Sequence, residues 1–114
     1  MGRGRMAVVI NRFDFYLVSL DPTVWSEIQK TRPCLIISPD EMNKYIRTVI
    51  IAPMTSTSKD YPTRVSCTFR KKHGHIVLDQ IRTIDKEHLI RKLGTIDSKA
   101  QLEVVSVLQK LYAF

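Results

Sequence analysis

Two short apolar runs separated by a polar stretch constrain the fold of this 114-residue chain more than any other feature. Residues 34–37 and residues 48–51 are rich in β-branched side chains and are bounded by prolines and polar residues. Runs of this length and composition predict buried β-strands rather than helices. Arg32 stands where the first strand is expected to begin, and Thr55 follows the expected end of the second at Pro53. Antiparallel pairing of the two strands would bring Arg32 and Thr55 to the same edge of a sheet.

The rest of the chain predicts further short strands and one terminal helix. Strands are expected at residues 13–20, 64–69, 75–83 and 90–96, with helical turns within 40–47 and 85–89. Gly74 is expected to supply the turn of a charged hairpin tip. Ser98 and Gln101 resemble a capping box that starts a C-terminal helix. The predicted apolar stripe of that helix consists of Leu102, Val105, Leu108 and Tyr112, flanked by Val104 and Leu111. This pattern predicts a mainly β fold, a small SH3-like barrel with a C-terminal α-helix and short helical turns.

Composition limits the class of protein. At this length, we expect one domain over residues 13–114 after an N-terminal tail of residues 1–12. Eighteen basic and 11 acidic residues give a net charge of +7, which favours a polyanionic partner over the alternative of a merely soluble basic protein. No apolar segment reaches the ~20 residues of a membrane span, and no signal peptide is recognisable, so we expect a cytoplasmic protein without membrane contact. Cys34 and Cys67 lack close Cys or His neighbours and are expected to be thiols rather than zinc ligands or a disulfide.

A series of short motifs in order along residues 13–97 carries a family resemblance. The motifs are Asp21-Pro22-Thr23, Ser26-Glu27, Thr31-Arg32-Pro33, Ser38-Pro39 with Asn43, Ala52-Pro53-Met54-Thr55-Ser56, and the run from Leu78 to Asp85. The series resembles the MazF/PemK (Kid) family of toxin endoribonucleases. The resemblance implies the same barrel fold, a homodimer, and a cognate acidic antitoxin of the MazE/PemI type. The sequence departs from the family at three positions: Trp25 and Phe13 stand where glycine is usual, and Val77 stands where some relatives have an arginine.

The resemblance assigns the catalytic pair to Arg32 and Thr55. The Arg32 guanidinium suits stabilisation of charge on phosphoryl oxygens, and the Thr55 hydroxyl suits orientation of the phosphate. Arginine is a poor general base, so the group that takes the proton stays open between Glu27 and Asp79, and for Asp79 we favour orientation of Arg32. Without an acidic cluster for Mg²⁺, the expected reaction needs no metal or cofactor. Attack by the 2′-hydroxyl of RNA would leave a 2′,3′-cyclic phosphate and a 5′-hydroxyl.

The expected substrate is single-stranded RNA, because sequence-specific reading of RNA works on unstacked bases. Substrate contacts are expected from two polar loops, residues 23–31 and 55–63, and from the Asp-Gln-Ile-Arg motif. The candidate binding residues are Trp25, Ser26, Lys30, Ser56, Tyr61, Gln80 and Arg82. For Trp25, packing on the core competes with stacking on a base, and for Gln80 and Arg82 a structural corner competes with binding.

Three alternatives stay open. His73 and His75 share one face of a strand, which suits a paired-histidine ribonuclease mechanism or a metal pair, although both flank a charged turn where solvated histidines are common. A non-enzymatic gyrase poison of the CcdB type would use the same barrel and contact its target through residues 111–114. A degenerate relative would bind RNA without cutting it.

Overall fold

In a computed structural model, the described residues are 9–21, 30–56 and 60–113. They form seven strands and two helices in the order β1 (Asp14–Asp21), β2 (Lys30–Ile36), α1 (Asp40–Tyr45), β3 (Thr48–Thr55), β4 (Arg64–Phe69), β5 (Lys72–Val77), β6 (Arg82–Asp85), β7 (Leu89–Thr95) and α2 (Ser98–Leu111). Short 3₁₀ turns precede β6 and β7. Within these ranges, no helix is long and apolar enough to cross a membrane.

The strands form one antiparallel sheet in the order β4-β5-β3-β2-β1-β7, with β6 also paired to β3. The curved sheet makes a half-barrel with α2 on one side, so the prediction of a mainly β barrel with a C-terminal helix is confirmed. β3 is the central element because it contacts β2, β5 and β6. Residues at the end of β3 therefore have a strand on each side.

The sheet separates two apolar cores, and alternation along each strand decides which core a side chain enters. The first core lies between the sheet and α2 and includes Phe15, Leu35, Ala52, Ile76, Leu78 and Val104. The second lies on the opposite face and includes Ile10, Tyr16, Val18, Cys34, Ile36, Val49, Ile51 and Ile84. Because both faces of β2 and β3 are covered, the two runs read as continuous apolar segments in the sequence. This arrangement explains why the strand prediction at residues 34–37 and 48–51 holds.

Two predicted strand boundaries were wrong. β3 does not close at Pro53: Pro53 is buried and pairs with Cys34, and the strand ends at Thr55. The single strand expected over 75–83 is broken by the 3₁₀ turn Leu78–Gln80, after which β6 pairs with a different part of β3. The break lets β5 and β6 occupy the same side of β3 in succession.

The β4–β5 hairpin turns at Arg70 and Lys71, not at Gly74. Both residues have left-handed backbones, with φ of 53° and 67°, and Phe69 pairs with Lys72 across them. Two consecutive left-handed residues match the two-residue turn that suits the twist of a hairpin. Gly74 instead lies inside β5, where an added Cβ would come within 2.7 Å of the Thr55 carbonyl oxygen. The glycine is required by the close approach of β3.

The boundaries of α2 also differ from expectation. Its N-cap is Asp97, whose carboxylate accepts a hydrogen bond from the Ala100 amide at 2.8 Å, so the predicted Ser98 cap was wrong. The predicted stripe was partly wrong, because Leu102 and Tyr112 are 73% and 62% exposed. Leu108 and the flanking residues Val104 and Leu111 pack on the first core as expected, together with Ala100 and Val107.

Phe13 has a left-handed backbone with φ of 76°, at the position where the family usually has glycine. The conformation is fixed by two hydrogen bonds: the Phe13 amide donates to Ile36 at 2.7 Å, and its carbonyl accepts from Ile96 at 3.1 Å. A side chain in this region costs about 1–2 kcal/mol. The Phe13 ring offsets part of that cost by packing on the first core and lying under the Arg12 guanidinium.

This conformation predicts an inverted ranking of two small substitutions at position 13. Glycine normally destabilises a folded chain relative to alanine, but here Phe13→Gly should be more stable than Phe13→Ala by about 1–2 kcal/mol. Both variants lose the same ring, so packing does not enter the comparison. Urea unfolding of the two proteins measures the difference. A variant Phe13→Ala as stable as Phe13→Gly would contradict the strained backbone.

Candidate active site

The ladder registers place Arg32 and Thr55 side by side at one edge of the sheet. Cys34 pairs with Pro53, so the same register continued by two residues sets Arg32 opposite Thr55. Alternation puts Thr55 on the face of Ile51 and Pro53, and Arg32 on the face of Cys34. Residues directly opposite in an antiparallel pair have Cβ atoms about 4.5–5.5 Å apart. The register therefore brings these two residues to the same edge of the sheet.

Arg82 joins this face from β6. It pairs with Ile51 and is exposed, as Arg32 is. Burial raises the pKa of the Cys34 thiol to about 12, while the charges of Arg32 and Arg82 act in the opposite direction. Both guanidinium groups thus lie near the Cys34 sulfur. Two arginines beside a threonine make a cationic surface suited to a phosphate.

Asp79 is held by Arg64 rather than by Arg32. Its Oδ1 accepts hydrogen bonds from Arg64 Nε at 3.2 Å and from the Thr63 hydroxyl at 2.9 Å, and Oδ2 accepts from Arg64 at 3.4 Å. The Arg64 guanidinium also lies 4.7 Å from the centre of the Tyr61 ring. Asp79 therefore ties the start of β4 and the polar loop before it to the 3₁₀ turn. The preferred role of orienting Arg32 is not supported by these contacts.

This ion pair predicts a measurable titration. The hydrogen bond from Arg64 is the largest cause that lowers the pKa of Asp79. In Arg64→Gln, the pKa of Asp79 should rise towards its ordinary value, whereas Arg91→Gln on β7 should leave it unchanged. Because the pKa of Asp79 is lowered in the folded protein, the ion pair stabilises the fold at pH values above the unfolded-state pKa. This stabilisation is lost as the pH falls through the folded-state pKa. Carbon NMR of the Asp79 carboxyl group measures the shift, and equal pKa values in wild type and Arg64→Gln would contradict the pairing.

The other candidate binding residues occupy different places. β2 begins at Lys30. Ser56 follows the end of β3 and is exposed, and Tyr61 is 49% exposed under Arg64. Gln80 lies in the 3₁₀ turn and not on a strand, so it does not alternate with Arg82 as expected. Trp25, Ser26 and Glu27 lie outside the described residues.

The two histidines have different surroundings, which the sequence did not indicate. His73 is exposed and lies within hydrogen-bonding distance of the hydroxyls of Ser66 and Thr68, at 3.3 and 3.4 Å. His75 is buried, with Nε2 2.7 Å from a carboxylate oxygen of Asp60, so the expectation of two solvated histidines was wrong for His75. Among the described residues, no group of His, Cys, Asp and Glu is arranged to hold a metal ion.

The Ser38-Pro39 motif and Asn43 have a structural role in this fold. Ser38 and Asn43 are both buried, and the Ser38 hydroxyl donates to Asn43 Oδ1 at 2.5 Å while accepting from the Ile50 amide at 3.0 Å. Asn43 Nδ2 donates back to the Ser38 carbonyl at 2.9 Å. These bonds join α1 to β3, so the motif stabilises the connection between the two strands that carry Arg32 and Thr55.

The structure thus defines a small antiparallel half-barrel with a cationic face, and comparison with known proteins identifies its family. The family described as PemK-like, MazF-like toxin of type II toxin-antitoxin system matches residues 11–112. The chain belongs to this family.

Individual relatives support the assignment. The chain is 39% identical over 106 residues to the endoribonuclease MazF of Staphylococcus epidermidis, covering 88% of both chains. Its fold is similar to a crystal structure of MazE-MazF from Deinococcus radiodurans, with a TM-score of 0.79, 23% identity, and coverage of 92% of this chain and 96% of that one. An endoribonuclease in complex with its cognate antitoxin from a mycobacterial species has a TM-score of 0.75 at 22% identity, covering 89% and 92% of the two chains.

Proposed function

We propose that this chain is the toxin of a type II toxin–antitoxin pair and that it cuts single-stranded RNA at a link held between Arg32 and Thr55. The observation that carries the proposal is the β2–β3 register, which, continued from Cys34 and Pro53, supports a position of Arg32 opposite Thr55, with Arg82 projecting from the same face. The endoribonuclease relative and the family assignment support the same activity. They favour a nuclease over a gyrase poison or an inert binder.

The reaction follows from the chemistry of the residues on that face. Arg32 and Arg82 are permanently charged donors that would stabilise the negative charge as the 2′-oxygen bonds to phosphorus. Thr55 would hold a phosphoryl oxygen through its hydroxyl. Cleavage of the bond to the 5′-oxygen then leaves a 2′,3′-cyclic phosphate and a 5′-hydroxyl. Glu27 stays our candidate for the base, since it precedes Arg32 by five positions in the sequence.

A groove beside Thr55 provides a place for a neighbouring base. It has a volume of about 330 Å³, and its lining includes the apolar side chains of Pro33, Met54, Phe69 and Leu93 together with Arg70, Lys72 and His73. An unstacked base packs on apolar and aromatic surface, while basic side chains attract the adjoining phosphate. This groove suits single-stranded rather than double-stranded RNA.

The partners follow from the family and the charge. Relatives occur in complex with cognate antitoxins, and a chain with a net charge of +7 would attract an acidic antitoxin segment to the same face. We also propose a homodimer acting in the cytoplasm.

The test is cleavage of a long single-stranded RNA by purified protein in the presence of EDTA. We expect short fragments with 5′-hydroxyl ends, which polynucleotide kinase labels without prior phosphatase treatment. Intact RNA with retained cell toxicity would favour the gyrase poison, and intact RNA without toxicity the inert binder.

A further inference from the structure

His75 lies next to the proposed catalytic pair but has no role in the reaction described above. It pairs with Thr55 across the β3–β5 ladder and with Ser66 across the β4–β5 ladder. Paired residues project from the same face of a sheet. Ser66, His75, Thr55 and Arg32 therefore form a row across four strands. A phosphate held at Arg32 and Thr55 would have His75 as its next neighbour along this row.

The hydrogen-bonding geometry shows which ring nitrogen is the donor. The His75 side chain is 8% exposed, whereas the Asp60 carboxylate 2.7 Å from its Nε2 is 93% exposed. An ionised carboxylate can only accept hydrogen bonds, so the hydrogen lies on Nε2. Nδ1 is buried and has no hydrogen-bond partner within the described part of the chain. His75 thus presents an N–H group, and not a lone pair, to an oxyanion at the surface.

We propose that His75 Nε2 is a binding site for a backbone phosphate of RNA, and that the Asp60 carboxylate occupies this site in the free protein as an internal competitor. The inference rests on the proposed function, since it places the RNA backbone over Thr55. The site takes a phosphate next to the scissile one.

A phosphate can replace the Asp60 carboxylate at Nε2 of His75 without leaving the His75 N–H group unpaired. Both are anions that accept from the same N–H, so His75 keeps a partner in the free and the bound protein. Asp60 is almost fully exposed, and water can solvate its carboxylate when it leaves Nε2. The phosphate is favoured because the RNA simultaneously contacts Arg32 in the row and Arg82 on the same face. The alternative is a structural latch, in which the pair only fixes the loop that carries Asp60 and Tyr61.

Binding and stability measurements on five single-residue variants distinguish these roles. The probe is a short single-stranded RNA with 2′-fluoro sugars, which cannot undergo 2′-oxygen attack. His75→Val should weaken binding about tenfold, whereas His75→Gln keeps an N–H group near the position of Nε2 and should bind nearly as well as wild type. His88→Val, which removes a histidine from the 3₁₀ turn before β7, outside both the row and the groove, is the matched control and should have little effect. Asp60→Ala should bind about threefold more tightly than the charge-matched control Glu41→Ala.

The sign of the Asp60 effect tests the competitor role. In the His75→Val background, Asp60→Ala should give no gain over Glu41→Ala, because the site for which Asp60 competes is gone. A wild-type affinity in His75→Val would overturn the proposal, as would equal losses in His75→Val and His75→Gln. Thermal unfolding of each variant identifies any loss caused by misfolding. The probe is not cleaved, so failure of the nuclease assay and failure of this binding comparison are separate results.

Discussion

Replacing Arg32 with alanine should lower the rate of RNA cleavage by about 10²-fold or more. The guanidinium is exposed at the edge of β2, opposite Thr55 and close to Arg82, so it is placed to contact the oxygens on which charge develops. Arg82 lies farther along the sheet, opposite Ile51, and cannot fully substitute for the lost donor. The measurement is the single-turnover rate with excess protein and EDTA.

Two further variants separate charge from geometry. Arg32→Lys keeps the positive charge but loses the planar fork, so its rate should lie between those of wild type and Arg32→Ala. Arg91→Ala removes the same charge from β7, outside the row, and should cleave at nearly the wild-type rate. The affinity of Arg32→Ala for the uncleavable RNA should fall far less than its rate. Wild-type cleavage by Arg32→Ala would exclude the proposed mechanism.

The placement of Arg32 and Thr55 was predictable because it depends on local patterns. Residues 34–37 and 48–51 are apolar and rich in β-branched side chains, and the connection between them is shorter than a parallel crossover needs, which favours antiparallel pairing. Any register close to the observed one brings the start of the first strand near the end of the second. The wrong strand end predicted at Pro53 does not change this placement. Thr55 lies two residues beyond Pro53, at the same end of the strand in either case.

The surroundings of His75 and Asp79 were not predictable from the sequence. Asp60 lies 15 positions before His75, and Arg64 lies 15 positions before Asp79, so each contact depends on the β4–β5 register. A one-residue slip would reverse every side chain of β5 and expose His75. The turn at Arg70 and Lys71 is not predictable for a related reason: a glycine near a hairpin tip predicts the turn residue, whereas the close approach of β3 is what requires Gly74.

Gly74→Ala should destabilise the protein by about 3 kcal/mol and also lower the rate of RNA cleavage by the molecules that stay folded. The added methyl group would lie 2.7 Å from the Thr55 carbonyl oxygen and 2.9 Å from Met54 Cε. The methionine end can move, but the Thr55 carbonyl belongs to the backbone of β3, so the strand itself must shift. That shift moves Thr55 relative to Arg32, and therefore links stability to activity at one position.

Lys72→Ala is the matched control for stability, because Lys72 is exposed in the same strand and its replacement removes no buried contact. Denaturant unfolding should show a large loss for Gly74→Ala and almost none for Lys72→Ala. Cleavage by Gly74→Ala should be measured well below its unfolding midpoint, so that reduced activity reflects the displaced Thr55. If Gly74→Ala is as stable and active as wild type, β3 and β5 do not approach as closely as described, and the row of Arg32, Thr55 and His75 is not formed.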